Sequence, residues 1–206
     1  MNKQNYQKLL DKIIEGHRQR DEYPSLLLHV CCAPCSSYCL EYLSNYFDIT
    51  VFYYNPNITL PSEYAFRLSE EKRFLREKRF PRPVRIAESE YEPELFFEAV
   101  KGLEREPEGG ERCRVCFELR LEESAKKAVE LGFDYFTTTL TISPLKNADL
   151  LNEIGMRMGE KHGVSWLCSD FKKREGYKRS IELSREFDLY RQSYCGCVFS
   201  RSRENE

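Results

Sequence analysis

Nine cysteines, most of them gathered in three short segments, constrain this chain more than any other feature. The segments are Cys31–Cys35 (CCAPC), Cys113–Cys116 (CRVC) and Cys195–Cys197 (CGC), and the two isolated cysteines are Cys39 and Cys168. An odd number of cysteines excludes complete pairing into disulfides, and 206 residues are too many for a miniprotein held together by such bonds. Clustered thiols in a chain of this length therefore indicate metal or redox chemistry.

The rest of the composition is that of a folded globular protein. Hydrophobic residues make up 41% and charged residues 32%, which argues against both disorder and a membrane-spanning chain. Residues 1–20 are amphipathic and lack the unbroken apolar stretch of a signal peptide, so we expect a cytoplasmic protein with no membrane partner. The length predicts one α/β domain over residues 1–206, with a core at about 24–170 and a C-terminal helical and CGC segment at about 171–206.

Strand-like and helix-like segments alternate along the chain. Short apolar or β-branched runs predict strands, and longer charged stretches with apolar periodicity predict helices. The predicted strands cover residues 26–30, 48–54, 84–87, 134–141 and 164–168. A first helix ends at residue 20, and further helices are predicted at 36–46, 62–80, 93–103, 113–131, 147–161 and 175–186. A serine near the start of helix 36–46 is a candidate N-cap.

This alternation is typical of a doubly wound parallel sheet. Ligands bind such sheets at the carboxyl ends of the strands, near the point where the strand order reverses. Unusual sequences fall at four predicted strand ends, namely His29–Cys35, residues 55–57 (NPN), Thr139–Ser143 and Cys168–Lys173. We therefore expect one active cleft at that edge of the sheet.

The Cys31–Cys35 segment lies where a predicted buried strand leads into a helix. A thiol at a helix N-terminus experiences the positive end of the helix macrodipole, which favours the thiolate. Thiolates bind iron or zinc and attack disulfides, so this segment is a candidate for either chemistry. Cys39, Cys168 and His29 are instead interpreted as core residues.

The second segment is a CxxC pair at a helix start. Cys113 and Cys116 lie within one helical turn, a spacing that suits two ligands of one metal centre. Cys31 or Cys32 could join them in a four-sulfur site if the fold brings the segments together. Spacing alone does not choose between an iron–sulfur cluster and zinc.

The third segment has two cysteines separated by one glycine. Cys195 and Cys197 could form a strained and readily reduced disulfide, because Gly196 permits a tight turn. Such a pair would store two electrons. The alternative is that these thiols ligate a second metal.

Positive charge is concentrated in two zones, although the whole chain has a net charge of −2. Residues 67–85 carry a net +5 and residues 171–206 a net +3. Such zones could follow a nucleic-acid backbone, or they could be solvated helix faces with internal ion pairs. Asp170, directly after the last predicted strand, could serve as an acid, a metal ligand or an ordinary turn residue.

Four sequence runs together resemble the QueH family of epoxyqueuosine reductases. They are LHVCCAPCSSY, YYNPNI, CRVCFELRLEESAKKAVELGFDYFTTTLTISPLKN and SDFKKREGYKRSIELSREFDLYRQSYCGCVFS. The similarity extends from about Leu26 to Ser200, and the combination of CCxPC, CxxC and YCGC is highly specific. The resemblance implies a Rossmann-like fold of the adenine-nucleotide-hydrolase type, with an inserted helical CxxC segment and a cysteine-containing C-terminal tail. Cysteines would then replace the phosphate-binding loop after the first strand.

The resemblance also implies an activity and a cofactor. The activity is the reduction of epoxyqueuosine to queuosine at the wobble position of tRNA anticodons, in the last step of queuosine biosynthesis. The epoxide becomes an alkene, and its oxygen leaves as water. The implied cofactor is a [4Fe–4S] cluster, without cobalamin. By motif position the residues that would hold the cluster are Cys31, Cys32, Cys113 and Cys116.

The remaining site residues follow from the same resemblance. Cys195 and Cys197 would be the redox-active pair, and Asp170 is a further catalytic candidate. Adjacent cysteines on one cluster are geometrically demanding, so an additional iron could lie beside the cluster. The residues that could ligate it are Cys31, Cys32, Cys35, Cys197 and Asp170.

The implied partners are tRNA carrying epoxyqueuosine and an electron donor that the sequence does not identify. The residues expected to contact the tRNA are Lys172, Lys173, Arg174, Lys178 and Arg179. Two other interpretations remain open, a thioredoxin-like thiol–disulfide oxidoreductase and a zinc-stabilised RNA-binding protein. The metal that the purified protein carries would discriminate between them.

Overall fold

A computed structural model describes residues 4–201, so the ends of the predicted 1–206 domain lie outside the described residues. In chain order the elements are α1 Tyr6–Gln19, β1 Ser25–His29, α2 Ala33–Leu43, β2 Asp48–Tyr53, α3 Pro61–Glu77, β3 Arg85–Glu88, α4 Pro93–Ala99, α5 Glu111–Glu130, β4 Tyr135–Thr138, a 3₁₀ turn Thr139–Ile142, α6 Ala148–His162, β5 Ser165–Trp166, α7 Gly176–Glu186 and a 3₁₀ turn Val198–Ser200. No helix among the described residues is both long and apolar enough to cross a membrane.

The five strands form one parallel sheet in the order β3-β2-β1-β4-β5. The predicted α/β fold with a parallel sheet is therefore confirmed. The chain builds the sheet outwards from β1 to β3 and then returns to the other side of β1, so the strand order reverses between β1 and β4. In a sheet of this kind, that reversal opens a crevice at the carboxyl ends of β1 and β4.

Apolar alternation along β1 explains why both faces of the sheet are covered. Leu26 and Leu28 pack into one hydrophobic cluster with α1 and α2, whereas Leu27 packs into a second cluster with α5 and α6. All three side chains are fully buried. A central parallel strand is apolar on both faces because helices lie on both sides of it.

Several predicted boundaries were wrong, and each difference has a local cause. Helix α3 ends at Glu77 rather than residue 80, because the ring of Pro81 would collide with the carbonyl of residue 77. Strand β5 has two residues instead of five. After Leu167, whose N–H donates to the Phe136 carbonyl at 2.9 Å, the backbone leaves β4, and Asn152 binds the backbone of Ser169, with Oδ1 accepting from N at 3.0 Å and Nδ2 donating to O at 2.8 Å.

The start of α2 also differs from the prediction in a way that shapes the site. The helix begins at Ala33, three residues earlier than expected, and its N-cap is Cys32, which makes no side-chain capping bond. The predicted serine cap was therefore wrong. Pro34 lies at the helix start, where its fixed φ favours helical geometry and no N–H is needed. As a result Cys35 lies in the first turn of α2, directly beyond the end of β1.

Candidate metal and redox site

The three cysteine segments converge at the crevice beyond β1 and β4. The first cavity, which we call the thiol cavity, has a volume of about 320 Å³. The lining residues that matter here are Cys31, Cys35, Arg120, Lys146, Tyr194 and Cys195. A second, small cavity of about 30 Å³ is bordered by the sulfurs of Cys113, Cys116, Cys195 and Cys197. Cys195 and Lys146 border both cavities, so the two spaces adjoin.

The Cys31–Cys35 segment forms a compact three-sulfur group. The Sγ atoms of Cys31, Cys32 and Cys35 all lie within 4.8 Å of one another, and those of Cys31 and Cys32 are 3.7 Å apart. S–H donation from Cys32 and Cys35 holds the pKa of Cys31 well below its usual range. The same contacts raise the pKa of Cys32 to about 12 and raise that of Cys35. Cys31 is thus the most acidic thiol of the group, and the group could bind a metal ion.

The CxxC pair lies in the first two turns of α5. Cys116 is buried, and burial raises the pKa of its thiol to about 12. The backbone N–H of Gly109 donates to Cys113 Sγ at 3.2 Å. Arg120 follows Cys116 by four residues, a spacing that places both side chains on the same face of the helix. Cys113, Cys116 and Arg120 therefore form one stripe of α5 that faces the two cavities.

Arg120 is fully buried between the strand ends. Its Nη2 donates to Asn55 Oδ1 at 2.7 Å, and its Nε lies 3.3 Å from His29 Nε2. Its Nη1 has no hydrogen-bond partner of normal geometry. Burial disfavours the charged guanidinium, but the nearby Cys116, Cys31 and Cys195 sulfurs outweigh burial and raise the pKa of Arg120.

The CGC segment is held in place by long-range contacts. Arg67, which is fully buried on α3, donates to the carbonyls of Tyr194 and Cys195, both at 3.2 Å. The Gly196 carbonyl accepts from the backbone N–H of Thr59 at 3.1 Å. Cys195 and Cys197 are free thiols, as are the other seven cysteines. Their predicted redox cycle stays a prediction.

The predicted four-sulfur set is not gathered as one group in this arrangement. Among residues 4–201, the three-sulfur group of Cys31, Cys32 and Cys35 is the one set whose sulfurs meet at metal-binding distance. Cys113 and Cys116 border the small cavity, and Cys31 borders the adjoining thiol cavity. The donor set and the unpartnered, buried Nη1 of Arg120 fit an anionic metal–sulfur group between them.

Asp170 is not among the residues that line the thiol cavity. It is buried, and its carboxylate pairs with Lys172 Nζ at 2.8 Å. It borders a third cavity, of about 360 Å³, together with Lys146 and Lys173. Its predicted roles as an acid and a ligand therefore stay predictions. Cys39 and Cys168 pack in the two hydrophobic clusters, as predicted.

Most of the basic side chains predicted to bind tRNA already have acidic partners. Salt bridges with N···O distances of 2.6–3.0 Å join Lys172 to Asp170, Arg174 to Asp11, Lys178 to Glu175 and Arg179 to Glu41. Lys173 is the one of the five whose ammonium has no carboxylate partner within residues 4–201. These surface pairs are individually weak and can be exchanged for phosphate.

Three side chains that line the thiol cavity were missed by the sequence analysis. Arg120 had a usable signal, since CxxC followed by an arginine four residues later continues one helix face. The sequence signal for Lys146 was weaker and consisted only of its position after a predicted strand end. Gln192, whose Nε2 donates to Cys32 Sγ at 2.9 Å, had none, because 160 residues separate the partners.

The sequence profile of the family "Epoxyqueuosine reductase QueH" matches residues 26–203. This chain belongs to the QueH family. A QueH protein of Streptococcus pyogenes is 46% identical over 198 residues, which cover 95% of this chain and 78% of that protein. A QueH protein of Staphylococcus epidermidis is 48% identical over 204 residues, which cover 97% of this chain and 86% of that protein. A QueH protein of Thermotoga maritima is 38% identical over 186 residues, which cover 88% of this chain and 93% of that protein.

The family membership bears on the predicted class of protein. Each of these relatives carries the name epoxyqueuosine reductase. The prediction that the chain is an oxidoreductase of the QueH family is confirmed. The thiol cavity, the small cavity and the CGC segment are thus the candidate active site of a QueH enzyme.

Proposed function

We propose that this chain reduces the epoxide of epoxyqueuosine, at the wobble position of a tRNA anticodon, to the alkene of queuosine. The observation that carries the proposal is the convergence of three distant cysteine segments on two adjoining cavities in a QueH chain. The reaction consumes two electrons and two protons and releases the epoxide oxygen as water. An external donor supplies the electrons. A cytoplasmic location belongs to the same proposal, because thiols stay reduced there.

The proposed cofactor is a [4Fe–4S] cluster. When bound, it would supply single electrons and an iron that can act as a Lewis acid. The residues proposed to hold it are Cys31, Cys32, Cys113 and Cys116. An additional iron would be held by Cys35, which lies with Cys31 and Cys32 in one three-sulfur group. Ligation of that iron by Cys197 or Asp170 is the alternative to the redox role of Cys197 and the acid role of Asp170.

The chain's own side chains supply thiols and a proton. Cys195 borders both cavities, so the proposed dithiol of Cys195 and Cys197 can hold two electrons beside the substrate. The ammonium of Lys146 has no carboxylate partner among the described residues, and sulfur charge raises its pKa. Because Lys146 lines both cavities and its ammonium carries a proton, it is placed to give that proton to the departing oxygen. Tyr194, at the cavity wall, offers a ring on which a splayed base can stack.

Metal analysis of anaerobically purified protein tests the proposal. We expect iron and acid-labile sulfide, together with conversion of epoxyqueuosine-containing tRNA when a chemical reductant is supplied. Cys195→Ser should retain the iron and lose multiple turnover, because the dithiol is broken. Cys168→Ser is the matched control, since that thiol packs in a hydrophobic cluster away from both cavities.

Other results of these experiments would favour one of the two alternative functions. Zinc without iron, in a protein inactive on this tRNA, would indicate the zinc-stabilised RNA-binding protein. Reduction of protein disulfides without activity on the tRNA would indicate the thiol–disulfide oxidoreductase. Loss of iron in Cys195→Ser would make Cys195 a ligand rather than a redox thiol.

A further inference from the structure

A buried positive charge without a carboxylate partner within residues 4–201 lies behind the thiol cavity. The Arg120 side chain is 0% exposed, its partners Asn55 and His29 are uncharged, and the Cys116 thiol also interacts with it. His29 is neutral because burial, reinforced by Arg120, lowers its pKa to about 3. No salt bridge to Arg120 occurs among residues 4–201. A buried charge of this kind is costly unless an opposite charge lies close to it.

The network around Arg120 fixes the direction in which the unpartnered Nη1 points. Asn55 accepts from Nη2, and the other end of the Asn55 amide donates to the carbonyl of Val30 at 2.8 Å. His29 is in turn 2.8 Å from Thr138 Oγ1 through its Nδ1. The loops that follow β1, β2 and β4 are thereby tied together. Nη2 donates to Asn55, and Nε faces His29 Nε2, which also lies 3.1 Å from the carbonyl of Tyr54. Nη1 has no hydrogen-bond partner of normal geometry, so it can donate to a group in the thiol cavity, which Arg120 lines.

The remaining groups near this guanidinium are sulfurs and one further cation. The sulfurs are those of Cys116, Cys31 and Cys195, and the cation is Lys146. A cluster held by four thiolates carries net negative charge, and adding an electron increases that charge. Hydrogen bonds to sulfur and nearby positive charge therefore raise the reduction potential of such a cluster.

We propose that Arg120 is the positioning residue that sets the reduction potential of the iron–sulfur cluster, with Nη1 reserved as a donor to it. This inference rests on the cofactor named under the proposed function. Arg120 makes the cluster easier to reduce, and the Asn55–His29 pair holds its guanidinium in place. No contact between Arg120 and the tRNA is required.

A redox titration of the reconstituted holoprotein, followed by electron paramagnetic resonance without tRNA, tests the inference. Arg120→Gln should shift the midpoint potential of the cluster to a more negative value. Arg114→Gln is the matched control, because it removes an equal charge from the same helix at an exposed position paired with Glu118. We expect no shift there, since solvent and salt screen that charge.

A second variant tests the effect of the Arg120 charge on the midpoint potential if Arg120→Gln does not fold. Asn55→Asp is isosteric and places a carboxylate against Nη2, so it offsets the guanidinium charge while Arg120 stays in place. It too should lower the midpoint potential. Unchanged potentials in whichever of the two variants fold would overturn the inference while leaving the proposed function intact. Wild-type protein that takes up no iron–sulfur cluster would refute the proposed function itself.

Discussion

A carboxyl group lies fully buried behind the first turn of α2. Glu71, on α3, is 0% exposed, and burial raises its pKa to about 8. Its Oε2 is 2.8 Å from the hydroxyl of Ser36, which also lies 3.1 Å from the carbonyl of Ala33. The Ser36 hydroxyl donates to the Glu71 carboxyl, and this bond only partly offsets the effect of burial on the pKa. Glu71 is thus a neutral acid near neutral pH.

This burial makes stability depend on pH in a defined direction. The folded chain keeps the Glu71 proton up to a pKa of about 8, whereas the unfolded chain loses it near 4.5. The folded state therefore binds more protons between these values, and the free energy of unfolding should fall as pH rises through that window, by about 1.4 kcal/mol for each unit of pKa difference. Denaturant titrations of the metal-free, reduced protein at several pH values measure this slope.

Glu71→Gln should remove this contribution, because the amide stays neutral throughout. Glu77→Gln, on the exposed part of the same helix, should keep the wild-type slope. Equal slopes in the wild type and Glu71→Gln would show that Glu71 is ionised in the folded protein. The sequence gives no sign of this site, since Glu70 and Glu71 are neighbours in a charged stretch and the packing of α3 alone distinguishes them.

The CGC segment is the element whose placement depends most on tertiary contacts. Gly196 has φ of +106°, a conformation that favours glycine, and a Cβ built there would lie 2.9 Å from Ile58 Cγ1. Arg67 fixes the two preceding carbonyls, and Thr59 binds the Gly196 carbonyl. The glycine between the two cysteines therefore serves close packing against the loop after β2 as well as turn formation.

Gly196→Ala should release this segment from the fold. Left-handed strain costs about 1–2 kcal/mol, and the contact with Ile58 adds to it. We expect faster amide hydrogen exchange over residues 192–198 and lower thermal stability. Gly102→Ala is the matched control, because Gly102 also has positive φ (+86°) but open space around its Cβ position. If both variants exchange equally fast in this segment, the close approach to Ile58 contributes nothing.

Helix α5 shows which structural features can be predicted from sequence patterns within a single element. Its CxxC start, its length and its end near Gly132 were all predicted, because capping and periodicity are local. The stripe of Cys113, Cys116 and Arg120 could also be read from spacing. The Arg120 contacts with His29 and Asn55 could not be predicted in this way, since His29 ends β1 and Asn55 follows β2, and these strands pair only in the assembled sheet.

At the scale of the whole molecule, the strand order gathers the site. With β1 at the centre of the sheet, the segments after β1, β2 and β4 meet at one edge. Four of the five basic side chains predicted to contact tRNA have acidic partners, and the fifth, Lys173, lines the third cavity together with Lys146. We therefore expect binding of the tRNA backbone to depend more on Lys173 than on the paired basic residues around it.

Lys173→Ala should raise KM for tRNA severalfold and reduce the slope of log binding constant against log salt by about one. Lys178→Ala, which removes a charge paired with Glu175, is the control and should change the slope less. Binding of unmodified tRNA at several salt concentrations measures both. Slopes that stay at the wild-type value in Lys173→Ala would exclude this surface as the phosphate contact.

The sequence by itself determined the fold class, the family and the chemical type of the site. Alternating strands and helices are local patterns, and clustered cysteines have few uses in a chain of this kind. The tertiary structure alone decided which sulfurs lie together, because Cys35 joins Cys31 and Cys32 only through the early start of α2. It also decided which charges are buried and unpaired. Burial and pairing depend on contacts between residues far apart in the chain, and no local pattern encodes those.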